Sequence, residues 1–272
     1  MILTPAHIKA IELIESPDFT MSFTKCERFW LSPWSLVCYV AAKIDPTADK
    51  EPTAAMKLGR LEHCVVLEPE ELQNRYIVFR KSDPGKTWGQ QPNKQIKADA
   101  IKSALEQGKE AIDGATYDGA IRRGELIKHN RVAGELLEGC TYFEQSVKWQ
   151  LLGLHWRGII DGGNSSYKID IKKVQNAKRS KIRWIAKDRH FSAQAYLYNT
   201  ALGNYDRATY YNICIDNAEN VITLLMDPFS IDAGRAWVED VIEKFIECRV
   251  SGNWDYNQEF WSDKGYYSMI NL

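Results

Sequence analysis

No stretch of the 272-residue chain is apolar for the ~20 consecutive residues that a membrane-spanning helix needs. The first residues, Met1-Ile2-Leu3-Thr4-Pro5, carry neither a basic leader nor an apolar signal core, so a cytosolic location is expected. The six cysteines (Cys26, Cys38, Cys64, Cys140, Cys214 and Cys248) are scattered and form no C-x-x-C. That argues against a structural zinc site, an iron–sulfur cluster and a disulfide framework, and leaves buried reduced thiols as the expectation. Internal repeats and low-complexity tracts are missing as well. Neither charge sign dominates: the net charge is −1, which taken alone speaks against a nucleic-acid binder.

What is present is ordinary globular material, 44% hydrophobic and 26% charged residues, sufficient for one large core. The charge is unevenly placed. Between residues 168 and 190, nine basic residues (Lys168, Lys172, Lys173, Lys178, Arg179, Lys181, Arg183, Lys187, Arg189) face two acids, Asp170 and Asp188. A basic stripe of this density suits a phosphate backbone; the alternative is a solvated loop and helix face.

Periodicity divides the chain. Residues 8–42 read as helical and aromatic, broken near Ser32-Pro33, and a linker at 45–52 precedes a helix at 53–67 that Glu68-Pro69 ends. Residues 80–94 are turn-rich and read as a mobile loop, with Trp88 as a candidate for stacking on a base. Helices are expected at 95–110 and 117–137. Strands begin at Tyr142, and turns at Gly153 and at 162–166 make a three-stranded meander. A helix at 188–202, strands at 208–215 and 220–226, and a helix at 231–249 complete the pattern. The aromatic tail around Trp254, Tyr256, Phe260 and Trp261 either caps the core or forms a subunit interface. The fold class expected is α/β (α+β), a single domain over 1–272 with a helical part at 1–50, a core at 53–252 and a tail at 253–272.

The chemistry concentrates in Arg157-Gly158-Ile159-Ile160-Asp161 and Ile169-Asp170-Ile171-Lys172. Side chains repeat every second residue on a strand, so Asp170 and Lys172 share a face, roughly 6–7 Å apart. A D-x-K tripeptide alone most often belongs to a solvated strand face. Here isoleucines flank both acids, which marks central sheet, and an acidic strand end in a buried sheet calls for a cation. Two carboxylates and a lysine can hold a hard divalent ion and stabilise charge on an attacked phosphodiester.

Four elements stand in order: Gly59-x-x-x-His63 on a helix, Asp161 at a strand end, Asp170-x-Lys172 on the next strand, and Gln194-x-x-x-Tyr198 on the following helix. This set resembles the PD-(D/E)XK nuclease superfamily, and more closely the C-terminal nuclease domain of exodeoxyribonuclease VIII and its phage relatives. The stretch from Met56 to Glu71 and the RGIID strand are similar to that group, over about residues 22–252. Ile160 stands where the name motif has proline, and Lys173 where relatives often carry threonine.

The resemblance implies a restriction-endonuclease-like core, a central mixed sheet flanked by helices. It implies that His63, Asp161 and Asp170 ligate Mg²⁺, or Mn²⁺ in its place, with the Ile171 carbonyl as a further ligand. Lys172 would orient or deprotonate the attacking water. Gln194 and Tyr198 would support the site or contact DNA, and Gly59 would let its helix approach the sheet. Lys173, Lys178, Arg179 and Lys181 are expected on the DNA backbone, and Glu144, on the polar side of its strand, outside the direct ligand ring. The activity implied is end-dependent, 5′→3′ degradation of linear double-stranded DNA for phage-type recombination. A single-strand-annealing protein would be the partner and a homo-oligomer, a tetramer or other ring, the assembly. An endonuclease on the same fold and a non-catalytic DNA-binding module are the rival readings.

Overall fold

A computed structural model describes residues 3–45, 53–203 and 209–255. Polar caps set the N-terminal boundaries. Helix α1 (Pro5–Glu15) begins at a Thr4–His7 capping box. A two-residue strand, β1 (Thr20–Met21), comes next. Ser22 caps α2 (Phe23–Leu31) and Ser32 caps α3 (Pro33–Ile44), with Pro33 in the first turn, where its missing N–H costs nothing. The break expected at Ser32-Pro33 is therefore present, but the helical reading of 8–42 overlooks β1.

Helix α4 (Ala54–Leu67), a 3₁₀ turn at Pro69–Glu71 and α5 (Leu72–Arg75) lead into β2 (Tyr76–Phe79). After α6 (Asn93–Glu106) comes β3 (Glu110–Asp113), which pairs in parallel with β2. The helix expected at 95–110 thus ends early, in a small second sheet. The loop expected to be mobile at 80–94 is pinned by Asn93, which is fully buried. Its Oδ1 accepts from the Ser82 and Asp83 N–H groups at 3.1 and 3.2 Å, and its Nδ2 donates to the Asp83 and Lys86 carbonyls at 2.8 and 3.1 Å. Trp88 packs edge-on against Phe79, centroids 4.9 Å apart, rather than standing free.

Helices α7 (Gly114–His129) and α8 (Arg131–Glu138) divide the stretch expected as one helix, because Asn130 leaves helical geometry and caps α8 through Ala133 N–H. The meander follows as expected: β4 (Tyr142–Leu151), β5 (Leu154–Gly163) and β6 (Tyr167–Lys173). Leu152 and Gly153 both take positive φ, 53° and 73°, the geometry a two-residue hairpin needs. Two helices then cross over, α9 (Arg179–Asp188) and α10 (Phe191–Ala201), before β7 (Thr209–Ile215), β8 (Val221–Met226) and α11 (Pro228–Ser251). The helix expected at 188–202 is α10 alone. The basic stripe before it is a separate helix, divided from α10 at His190, whose φ is 48°.

The main sheet runs β1-β5-β6-β7-β8, with β4 on β5. Strands β4, β5 and β6 are antiparallel neighbours, β6 and β7 run parallel across the α9–α10 crossover, and β1 pairs in parallel with the start of β5. Period-two alternation sorts β6. Ile169 and Ile171 pack with Ile213 and Ile215 against Val66, Ile127 and Leu137 of α4, α7 and α8. Lys168, Asp170 and Lys172 face the other way, toward α10. There α10 packs on α11, and with α1–α3 they make the larger core around Trp156, Tyr210 and Phe245. Gly234 permits the α10–α11 approach, since a Cβ there would lie 2.3 Å from the Ser192 carbonyl. The cysteines are free thiols, Cys26, Cys64, Cys214 and Cys248 buried. Trp254 is buried against Phe245 and donates to Glu15 Oε1 at 2.8 Å; Tyr256, Phe260 and Trp261 lie outside the described residues. No helix among the described residues is long and apolar enough to cross a membrane.

Candidate metal and phosphodiester site

Strands β5 and β6 pair at Gly162↔Ile169 and Gly163↔Lys168. Beyond those pairs the Ile171 N–H turns to a side chain, donating to Asp161 Oδ2 at 2.7 Å. Asp161 and Asp170 therefore face each other where the two strands part. Both are nearly fully buried, 7% and 3% exposed, and two buried carboxylates so close repel. Burial first, and then the Asp170 charge, push the Asp161 carboxyl up to about 7, with His63 and Lys172 only partly opposing.

From α4, His63 reaches the same point. Its Nε2 lies 2.9 Å from the Ile171 carbonyl, and its Nδ1 is 3.6 Å from Asp161 Oδ2 and 3.8 Å from Glu144 Oε1. Burial alone would lower its pKa. The surrounding carboxylates Asp161, Glu144 and Asp170, with the Ile171 carbonyl, win and hold the imidazole up at about 9. A positive charge is strongly favoured here.

Glu144 stands across from Asp161, between the pairs Phe143↔Gly162 and Gln145↔Ile160. Its φ of 47° breaks the ladder at that one position. A non-glycine residue in the left-handed region costs about 1–2 kcal/mol, and such strain collects at functional sites. The ligand atoms of His63, Glu144 and Asp161 all lie within 4.8 Å of one another. Glu144 therefore stands beside His63 and Asp161, where it can either support the imidazole or offer an oxygen of its own.

Asp170 is engaged differently. Its Oδ1 accepts from Gln194 Nε2 at 2.9 Å, while Lys172 Nζ lies 2.6 Å from its Oδ2 and donates to Gln194 Oε1 at 2.6 Å. One amide on α10 thus reads an anion with its NH₂ and a cation with its carbonyl. The Asp170 carboxylate is thus held on one oxygen by the Gln194 amide and on the other by the Lys172 ammonium. Beside it, the ligand atoms of His63, Glu144 and Asp161 are the group whose chemistry fits a hard divalent cation.

The other expected residues separate into groups. Tyr198 is buried, packed at Gly158, where a Cβ would meet its ring at 2.5 Å, and lies edge-on to Trp149. That suits support of the site. Lys173 pairs with the buried Glu62 at 3.0 Å, a carboxylate that Arg123 also holds at 2.5 Å, so its ammonium is already occupied. Lys178, Arg179 and Lys181 are exposed. Lys168, counted in the basic stripe, is instead fully buried under α10, donating to Asn199 Oδ1 at 3.0 Å, and burial lowers its pKa to about 8. Gly59 does not mediate close approach to the sheet, because a Cβ there would find nothing within 4 Å. It lines an open cavity of about 750 Å³ with Arg60, Lys109, His63 and Glu144.

Glu27 on α2 was not singled out in the sequence. Burial raises its carboxyl, and the charges of Lys172, Arg28 and Arg189 pull it back, which places it in the field of Lys172. No local spacing signals it, because α2 lies about 140 residues before β6 in the chain.

Comparison with known proteins bears on the fold that carries these residues. A family model described as a PDDEXK-like domain of unknown function (DUF3799) matches residues 23–257. A crystal structure from Eubacterium rectale described as a "Putative exonuclease" is similar with a TM-score of 0.61 at 12% identity, covering 95% of this chain and 91% of that one. At that identity the likeness is one of fold. No curated protein matches the sequence.

Proposed function

The chain belongs to the PDDEXK-like domain family through residues 23–257, and from that premise we propose that it is a divalent-metal-dependent deoxyribonuclease that degrades linear double-stranded DNA from its ends. The observation that carries the reading is the juxtaposition at the parted ends of β5 and β6. Two buried carboxylates oppose each other there, and a lysine ammonium lies 2.6 Å from one of them.

His63, Glu144, Asp161 and Asp170 would hold the ion, with the Ile171 carbonyl as a further oxygen once His63 Nε2 releases it. Mg²⁺ suits the oxygen-rich set, and the imidazole favours Mn²⁺ as a substitute. When bound, such an ion supplies Lewis-acid charge to a phosphodiester oxygen. The protein's own groups do the rest. Lys172, anchored between Asp170 and Gln194, orients the attacking water and offsets negative charge growing on the phosphoryl oxygens. A bond forms between the water oxygen and phosphorus, one bridging P–O bond breaks, and the proton that the water loses is matched by one that the departing oxygen takes up from solvent. Gln194 fixes both Asp170 and Lys172, so α10 sets the lysine's reach. The exposed Lys178, Arg179 and Lys181 hold the phosphate backbone without reading sequence.

Similarity of the ordered motifs to exodeoxyribonuclease VIII supports 5′→3′ polarity, a role in phage-type recombination, a single-strand-annealing partner and a ring-like homo-oligomer in the cytoplasm. The test is digestion of one plasmid, linearised and covalently closed, with and without Mg²⁺. The linear form should disappear only with Mg²⁺ while the closed circle survives. Equal loss of both forms would replace this reading by an endonuclease on the same fold.

A further inference from the structure

Helix α9 carries a feature that duplex backbone binding does not require. Trp184 is 57% exposed on a helix that is otherwise basic. Ile182 is fully buried beneath it, and two residues further on the helix has turned about 200°, so the indole faces solvent. Lys181 and Lys187, three residues to either side, share its face, and both are exposed, as are Lys178, Arg179 and Arg183. None of these five forms an ion pair with a described residue, and Asp188 is the helix's one acid.

The residues flanking α9 are fastened to the sheet. At its start, Ala177 N–H donates to Asp216 Oδ2 at 2.9 Å, beside the Val174 N–H bond to the Ile215 carbonyl. At its end, Arg189 Nη1 donates to the Lys173 carbonyl at 3.2 Å, one residue from Lys172. These bonds tie the two flanks of the helix to the sheet end that carries Asp170 and Lys172.

We infer that Trp184 is a stacking platform for a base of an unpaired DNA strand, with Lys181 and Lys187 on the adjoining phosphates. The inference rests on the nuclease reading for its substrate class and extends it to a single-stranded grip. Lysines alone suffice for a duplex backbone. A basic surface bearing an exposed aromatic ring is the arrangement that binds unpaired strands without sequence preference, because every base has a face to stack.

The experiment measures binding in EDTA, so that no hydrolysis occurs, by anisotropy of a labelled oligo-dT and a labelled blunt hairpin duplex. Trp184→Ala should weaken oligo-dT binding about tenfold, leave the hairpin within about twofold, and leave the melting curve unchanged. Trp184→Phe should retain most of the affinity. Unchanged oligo-dT binding, equal loss on both DNAs, or a Trp184→Ala protein that melts well below wild type would each overturn the inference. The last result would assign the ring to packing. Because the assay needs no cleavage, it stands whether or not the wild-type protein hydrolyses DNA.

Discussion

Replacing Asp161 by asparagine should stabilise the metal-free protein and remove the stabilisation that a divalent ion gives. Burial, reinforced by Asp170, lifts the Asp161 carboxyl from 3.8 to about 7. At about 1.4 kcal/mol per pH unit, ionising it in the fold at pH 8 costs about 4 kcal/mol, a ceiling that local relaxation reduces. A group titrating higher in the folded than in the unfolded state favours folding most below its unfolded pKa. That contribution disappears as pH rises through the folded value, here about 7. His63 works in the same sense. Burial opposes its charge, but Asp161, Glu144 and Asp170 hold it at about 9 against 6.5, so its contribution is lost between those values. Metal-free stability should therefore fall as pH climbs from about 4 to about 9.

Asparagine imitates the neutral acid, and its Oδ1 can still accept the Ile171 N–H that Asp161 takes at 2.7 Å. The expected gain in EDTA at pH 8 is about 1–3 kcal/mol, a rise in Tm of about 3–10 °C for a chain of this size. With Mn²⁺ at a hundred times its Kd, wild type should gain about 2.7 kcal/mol and the variant little. The wild-type gain should grow from pH 6 to pH 8, because ligands must lose protons to bind. Thermal melts in EDTA and Mn²⁺ at the two pH values check this. A variant less stable than wild type in EDTA at pH 8, or one stabilised equally by Mn²⁺, refutes the reasoning.

Two packing predictions accompany it. Gly59→Ala, in mid-α4 with nothing within 4 Å of the new Cβ, should raise stability by up to ~1 kcal/mol from helix propensity; a fall in Tm would contradict this. Gly234→Ala would put a Cβ 2.3 Å from Ser192 backbone atoms and should cost about 1–3 kcal/mol or more, and because α10 carries Gln194, turnover should fall too, which a melt and a rate assay on one preparation would check.

The sequence made the β4–β6 meander legible because alternation survives there: one face of β6 is isoleucine, and the other carries Asp170 and Lys172. Caps made the α4 boundaries legible. Strands β1, β2 and β3 were not, since runs of two and four residues paired in parallel across distance leave no local period. The division between α9 and α10 was hidden because His190, neither glycine nor asparagine, takes the left-handed conformation. The left-handed φ of 47° at Glu144 was hidden for the same reason, since it too is neither glycine nor asparagine. Lys168 looked like part of a phosphate-binding stripe. What buries it is Asn199, a hydrogen-bond partner 31 residues away on the crossover helix. Glu27 comes within the field of Lys172 only through tertiary packing of α2.

The most direct test of metal-dependent hydrolysis at this cluster compares wild type with Lys172→Ala on an end-labelled linear duplex, in EDTA and in Mg²⁺, with Mn²⁺ binding followed by calorimetry on both proteins. The expected result is cleavage by wild type in Mg²⁺ alone, and no cleavage by Lys172→Ala although it still binds Mn²⁺. Cleavage in EDTA, or near-normal cleavage by a correctly folded Lys172→Ala, would contradict it.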